Sequence, residues 1–300
     1  DAIDILDRAE QMDVVRNDKT KLATLAGKTV ANLFFEDSTR TRISFELAAK
    51  KLSAETINFA SKGSSTSKGE SLKDTVLTLE AMGVDAMVIR HQHSGAADYI
   101  ANSSWSKVKV INAGDGTHQH PTQALLDSFT IRKHFAEKRV GTDLSGLRVL
   151  IVGDVLHSRV AKSNAQLLNL LGAEVSFCAP KTLVPETNSL GASQTYNDLD
   201  FALEDEFDVV MMLRLQLERM NSAFFPSQQE YSSLFQLNAI RSKRLSKHTV
   251  VMHPGPMNRG LEIASSVADD GQSLILDQVS NGISVRMAVL DLLLANEGNS

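Results

Sequence analysis

The chain has 300 residues, 42% of them hydrophobic, which is enough for two ordinary cores. Its net charge of −5 mixes both signs, so it lacks the basic field that nucleic acid requires, and cations for an anionic ligand would have to be gathered locally. One cysteine, Cys178, excludes an internal disulfide framework, and no apolar run suits a bilayer span or a signal peptide, so a cytoplasmic protein bound to neither nucleic acid nor membrane is expected.

Strand-like and helix-like segments alternate nearly throughout, which predicts an α/β fold of parallel sheets. A first strand is read at residues 30–35. The run Asp37-Ser38-Thr39-Arg40-Thr41-Arg42 follows it and opens a helix over 39–52, capped by Asp37 or Ser38. In that helix Ile43 and Leu47 share one apolar stripe, with Phe45, Ala49 and Leu52 alongside. Strands follow at 56–59, 86–90 and 109–112, with helices at 71–82 and 96–103. Residues 61–69 contain no apolar anchor and are expected to form a mobile loop. The next helix opens at His120-Pro121, with proline in its first position, and runs toward His134. The charged segment 137–143 marks a domain boundary. Beyond it, a strand at 147–152, a turn at Gly153-Asp154 and a helix from the Ser158 cap to Leu171 form a βαβ start. More strands are read at 174–178, 208–213 and 249–252. The final helix, 283–296, is apolar on most faces and expected to be largely buried.

Several segments carry possible chemistry. Two arginines, Arg40 and Arg42, fall in the first turn of a helix, at the positive end of its dipole. A bound phosphate or carboxylate would account for them, as would simple solvation. In the 61–69 loop, Ser64 and Lys68 could reach an anionic ligand, Lys as a long flexible point charge. Arg90 ends a strand, and carboxyl ends of strands line the ligand crevice of open α/β sheets. His120 lies at a helix start, where a neutral imidazole can cap or can donate to a carbonyl oxygen. His118 and His120 are two apart, and no helical His-x-x-x-His spacing or nearby Cys supports a metal, so none is expected. Gly153-Asp154-Val155-Leu156-His157-Ser158 lacks the Gly-x-Gly-x-x-Gly spacing, and there is no phosphate loop of the Gly-Lys-Ser/Thr kind, so no nucleotide cofactor is expected either. Arg159 repeats the cation-at-a-helix-start pattern. Arg214 and Gln216 follow a strand, and on its own terms a surface pairing of Arg214 with Glu218 is the favoured reading there. His253-Pro254-Gly255-Pro256 also follows a strand, and its carbonyls could accept from an amide NH2.

Ser38-Thr39-Arg40-Thr41-Arg42 resembles the phosphate-binding signature of the aspartate/ornithine carbamoyltransferase family, and His120-Pro121-Thr122-Gln123 resembles its carbonyl-side signature. The resemblance runs over nearly the whole chain. It implies two domains, each a parallel sheet flanked by helices: a carbamoyl-phosphate-binding domain, 1–134, with the C-terminal helix 283–300 packing back on it, and an aspartate-binding domain, 135–282. It implies that Ser38, Thr39, Arg40 and Thr41 hold the phosphate of carbamoyl phosphate. Thr41, Arg90 and His120 would polarise its carbonyl oxygen, while Gln123 and the Pro254–Pro256 segment, through the carbonyls of Pro254 and Gly255, would hold its NH2. Arg159, Arg214 and Gln216, with Lys68, would bind the carboxylates of L-aspartate. Ser64 and Lys68 resemble loop residues that enter a neighbouring subunit's site in a homotrimer, Lys68 counting with the catalytic residues Arg40, Thr41, Arg90 and His120. The reaction implied is attack of the aspartate amine on the carbamoyl carbon, with phosphate leaving and taking the amine proton.

The ornithine branch carries a Cys in a His-Cys-Leu-Pro segment. His253-Pro254-Gly255-Pro256 and the Arg214-x-Gln216 pair favour a second carboxylate, hence aspartate. Gly255 stands where the best-known bacterial form has Leu, and Met257-Asn258-Arg259-Gly260 follows. That variant resembles members without a separate regulatory chain, some of which associate with dihydroorotase. The alternatives are a carbamoyltransferase for another amino acid, an inactive homologue scaffolding dihydroorotase, and a nicotinamide dehydrogenase.

Overall fold

The computed structural model describes residues 2–60, 70–137, 139–185, 188–215 and 227–295, and the chain divides into two compact units. The first comprises Asp1–Phe129, Lys138–Gly141 and Ser280–Ser300. Its sheet has four strands, β1 (Thr29–Phe34), β2 (Glu55–Ala60), β3 (Ala86–His91) and β4 (Lys109–Asp115), all parallel in the order β2-β1-β3-β4. After its first residue β1 is buried throughout, as a strand covered on both faces must be. Ala31, Leu33, Met87 and Ile89 pack with Val76 and Ile100 in the core of this unit. Around the sheet run α1 (Ala2–Asn17), α2 (Thr39–Lys51), α3 (Leu72–Ala81) and α4 (Ala96–Ala101). The helix α5 (Pro121–Phe135) follows β4.

The second unit comprises Thr130–Glu137 and Thr142–Val279. Its five strands are β5 (Arg148–Val152), β6 (Glu174–Cys178), β7 (Gln194–Tyr196), β8 (Val209–Met212) and β9 (Val250–Met252), parallel in the order β7-β6-β5-β8-β9. Among its described residues the helices include α6 (Arg159–Leu170) and the short α7 (Leu199–Ala202), α8 (Gln228–Phe235), α9 (Ala239–Ser242) and α10 (Ser265–Ala268). Its core gathers Leu150, Val152, Val210, Met212 and Val251 with Tyr231 and Phe235.

The expected α/β class holds, with two parallel sheets and a C-terminal helix whose greater part, from Ser280, belongs to the first unit. That helix, α11 (Ile275–Leu294), starts eight residues earlier than expected because Gly282 lies inside it. A Cβ at Gly282 would lie 2.5 Å from Arg286 Nη1 and 3.1 Å from Leu126 Cδ2, so the glycine permits close approach and does not end the helix. Helix α1 was not anticipated: Leu6, Ala9 and Met12 are buried on one face, and polar bonds tie it to α11, where Arg8 Nε donates to Asp291 at 2.8 Å and Arg16 Nη1 to Ser280 at 2.7 Å. Strand β7 was missed too, having only three residues and a single buried side chain, Tyr196.

Both sheets contain a topological switch. In the first, β1 leads to β2 on one side and has β3 on the other. In the second, β5 leads to β6 and then β7 on one side and has β8 on the other. Crevices outside the carboxyl ends of strands at such points are where open α/β sheets bind ligands.

Candidate active site

In the first unit the switch lies between β1 and β3. Phe35 N–H donates to the Arg90 carbonyl at 2.9 Å, which extends the β1–β3 pairing into the turn that precedes α2. Arg90 is the penultimate residue of β3 there. Its Nε lies 3.4 Å from Glu36 Oε2, and its Nη1 reaches the Ala113 carbonyl at 3.4 Å, so one guanidinium spans the ends of three neighbouring strands. Next to it, burial pushes the His91 imidazole below its ordinary pKa and His93 adds to this, while Glu36 and Asp115 oppose it.

Ser38 occupies the N-cap position of α2, as expected, but its side chain accepts no capping hydrogen bond. This departs from α3, α6 and α8, where Ser71, Ser158 and Ser227 each accept from the amide three residues on. Thr39 and Arg40 are exposed at the helix start and Thr41 is buried. The apolar stripe expected from Ile43 and Leu47 is corrected: both are exposed, at 46% and 44%, and the buried face consists of Thr41, Ser44, Phe45, Ala48 and Ala49. Small and hydroxyl side chains line that face because a guanidinium packs on it. Arg286 of α11 donates to Ser44 Oγ at 2.8 Å and lies 5.1 Å from the centre of the Phe45 ring.

Strand β4 continues three residues past its expected end to the buried Asp115, which latches the following loop. Asp115 accepts from the Gly95 amide at 2.5 Å, Asn112 Nδ2 at 2.8 Å and the Gln119 amide at 3.2 Å, and it meets His118 Nδ1 at 2.9 Å. Burial works against its charge, yet Asn112, Gly95 and His118 prevail and hold the carboxyl below its ordinary range. Gly116 has φ +48, and a Cβ there would lie 2.7 Å from the Ser94 amide nitrogen, so only glycine fits. The loop delivers His120, buried, to the start of α5, where its carbonyl accepts from the Gln123 amide at 3.0 Å and the Ala124 amide at 3.3 Å. Gln123 Nε2 donates to Asp127 Oδ1 at 2.9 Å. An ionised carboxylate only accepts, so this bond fixes the amide orientation and leaves the Gln123 oxygen as the acceptor for another group.

In the second unit the switch lies between β5 and β8. Gly153 has φ +124, and a Cβ there would come within 3.1 Å of both Leu213 Cβ and Tyr231 Oη, so the turn after β5 presses on the end of β8. Asp154, buried, accepts from the His157 amide at 3.0 Å and meets its Nδ1 at 2.9 Å. Ser158 then caps α6 by accepting from Ala161 N–H at 3.1 Å, which places Arg159, only 4% exposed, in the first turn. Arg214 follows β8 and is half-buried.

After β9 comes the 253–256 segment. His253 is buried; its amide donates to Gln278 Oε1 at 2.9 Å and its Nδ1 accepts from the Gly255 amide at 2.8 Å. Nδ1 is therefore unprotonated, and Nε2 carries the proton toward Glu262 Oε1, 3.2 Å away. Asn258 N–H donates to the same Glu262 oxygen at 2.5 Å, and Asn258 Nδ2 donates to the Leu215 carbonyl at 3.3 Å. The turn is thus held from inside, with a cis Gly255–Pro256 peptide, with Pro254 and Gly255 half-buried and with Pro256 exposed.

The structure therefore brings Ser38, Thr39, Arg40, Thr41 and Arg90 to one switch point, with His120 and Gln123 after the adjacent strand. Arg159, Arg214 and Pro254–Pro256 follow three adjacent strands of the other sheet. Ser64, Lys68 and Gln216 lie outside the described residues. The supporting groups Glu36, Asp115, Asp127, Glu262 and Arg286 were not singled out from sequence. Asp115 could have been, because it stands between two glycines, but Arg286 is 242 residues from its partner Ser44.

Residues 1–133 match the family described as aspartate/ornithine carbamoyltransferase, carbamoyl-P binding domain, and residues 145–293 match its Asp/Orn binding domain. The chain is 58% identical over 298 residues to the aspartate carbamoyltransferase catalytic subunit of Beutenbergia cavernae, covering 98% of this chain and 90% of that one. The corresponding subunit of Kineococcus radiotolerans is 58% identical over 301 residues, covering 99% and 94%. Among solved structures, the catalytic subunit of M. jannaschii aspartate transcarbamoylase superposes with a TM-score of 0.85 at 36% identity, covering 100% of this chain and 95% of that one. Aspartate transcarbamoylase from Trypanosoma cruzi, in complex with carbamoyl phosphate and aspartate, superposes with a TM-score of 0.84 at 29% identity, covering 97% and 92%.

Proposed function

The chain belongs to the aspartate/ornithine carbamoyltransferase family, and from that premise we propose how its residues act. It is an aspartate carbamoyltransferase: it transfers the carbamoyl group of carbamoyl phosphate to the amine of L-aspartate, giving N-carbamoyl-L-aspartate and phosphate. In the proposed division of labour residues 1–134, with the C-terminal helix 283–300, bind the carbamoyl donor and residues 135–282 bind the acceptor, bounds that differ by a few residues from those of the two compact units.

The observation that carries the donor site is the start of α2, where Ser38 occupies the cap position without capping, next to Arg90 at the switch of the sheet. A phosphate there meets the positive end of the helix dipole, the hydroxyls of Ser38, Thr39 and Thr41, and the Arg40 guanidinium. Thr41, Arg90 and His120 donate to the carbamoyl oxygen and stabilise the negative charge that grows on it when the amine attacks. The substrate NH2 donates to the Gln123 oxygen, whose orientation Asp127 supports, and to the carbonyls of Pro254 and Gly255. Arg159, Arg214, Gln216 and Lys68 bind the two carboxylates of aspartate, for which the planar fork of Arg is suited. As the new C–N bond forms, a tetrahedral intermediate appears; the C–O bond to phosphate then breaks, and the departing phosphate carries off the amine proton. Positioning and fixed charges supply the catalysis.

The family resemblance further supports a homotrimer in which Ser64 and Lys68 serve a neighbouring subunit's site. The Gly255 variant of the His253–Pro256 segment supports dihydroorotase as a candidate partner. The single cysteine supports a cytoplasmic location, and the carbamoyl-aspartate product supports a role in pyrimidine synthesis. Incubating the protein with carbamoyl phosphate and either L-aspartate or L-ornithine tests the function. Carbamoyl product with aspartate alone is expected; product with ornithine alone would overturn the acceptor assignment.

A further inference from the structure

The start of α2 lacks the side-chain cap that secures α3, α6 and α8, so its direction must be set by tertiary contacts. Three residues beyond Thr41, on the same face of the helix, Ser44 receives a hydrogen bond from Arg286 Nη1 at 2.8 Å, and the next residue, Phe45, lies 5.1 Å below the same guanidinium. Arg286 Nη1 also donates to the Gly282 carbonyl at 3.1 Å, which ties the guanidinium to its own helix, and Gly282 leaves no room for a Cβ between Arg286 and Leu126 of α5. The guanidinium therefore packs on the helix that carries Thr39–Arg42, with Asp127 of α5, the helix that carries Gln123, as its electrostatic neighbour.

Arg286 is 4% exposed, and its Nε meets no hydrogen-bond acceptor among the described residues. Burial pushes its pKa down to about 10, opposed by Asp127, the same carboxylate that orients Gln123. Burying a guanidinium carries a desolvation cost, and what this one returns is a fixed link from Gly282 of α11 to Ser44 and Phe45 of α2.

We propose that Arg286 is a positioning residue for carbamoyl transfer, which fixes the anion-binding turn of α2 through Ser44 and Phe45 and keeps it in register with the start of α5. This rests on the assignment of Ser38–Thr41 to phosphate. It acts through α2 and need not touch substrate.

The test is calorimetric titration of inorganic phosphate into the wild-type chain, Arg286→Met, Arg286→Lys and Ser44→Ala, with melting temperature and the KM for aspartate measured on each. Arg286→Met is expected to raise the phosphate Kd about tenfold, as loss of one charge-assisted bond does, with a lower Tm, because Asp127 loses its counter-charge, and a nearly unchanged aspartate KM. Arg286→Lys should restore most of the affinity. Ser44→Ala, which removes only the acceptor, should raise Kd about threefold and decides the matter if Arg286→Met does not fold. Wild-type phosphate affinity in Arg286→Met, or in Ser44→Ala where that variant decides, would overturn the inference while leaving the phosphate site standing. An equal loss of Tm and of both substrates' binding would also overturn it, as the sign of a merely structural arginine. If the wild-type chain bound no phosphate, the phosphate-site assignment itself would fall.

Discussion

Both sheets carry an arginine-bearing helix start at a topological switch, yet the two starts are built differently. After β1, Ser38 sits in the cap position and makes no capping bond. After β5, Ser158 caps α6 by accepting from Ala161 N–H, and Arg159 is buried in the first turn. A helix start without a side-chain cap suits a ligand with several anionic oxygens, which can act as the cap itself. A start capped by its own serine leaves side-chain guanidinium groups as the main attraction, and Arg159 and Arg214 suit the flat carboxylates of an amino acid. The difference is what the proposed division, with the phosphoryl group at the first sheet and the acceptor at the second, would require.

The largest expected effect is in the first sheet. Arg40→Ala should lower kcat by about a thousandfold, since it removes a charge-assisted contact to the leaving group. Steady-state turnover near wild type would break the assignment. In the second sheet, Arg214→Ala should raise the aspartate KM by about tenfold to a hundredfold and change carbamoyl-phosphate KM far less. A rise in the donor KM alone would reverse the two roles.

Asp115 tests the loop that delivers His120. Its carboxyl lies below its ordinary range in the folded chain, so its stabilisation is complete above the unfolded carboxylate pKa and is lost as pH falls through the folded value. Asp115→Asn should therefore cost about 1–3 kcal/mol at neutral pH, and the gap in denaturant midpoint between variant and wild type should narrow as the medium is acidified below about pH 4. A gap constant with pH would show that the charge is not what holds the loop. The smallest effect separates the two serines. Ser158→Ala should cost about 1 kcal/mol of stability, as loss of a working cap does. Ser38→Ala should leave Tm unchanged and weaken phosphate binding instead. Equal stability losses would remove the contrast between the helix starts.

Much of this was legible in the sequence, for physical reasons. Strands covered on both faces read as short apolar runs, so β1, β3, β5, β6, β8 and β9 stood out, whereas β7, with one buried side chain, did not. The run Ser38–Arg42 stood out because arginines at the positive end of a helix call for an anion. The face of α2 was misread in part: Phe45 and Ala49 are buried, but Ile43 and Leu47 are exposed, and Thr41 and Ser44 share the core side, where Arg286 donates to Ser44. Such pairings are set by the fold across 242 residues and leave no local pattern. Glu262 is only nine and four residues from its partners His253 and Asn258, yet the turn that joins them follows no regular period, so its role was missed as well.

The most direct measurement is calorimetric titration of inorganic phosphate into Arg40→Ala and Arg214→Ala, side by side with the wild-type chain. Loss of phosphate binding in Arg40→Ala, with Arg214→Ala within about twofold of wild type, is the predicted result. Equal weakening in both variants, or loss in Arg214→Ala alone, would contradict the division of the two ligands between the two sheets.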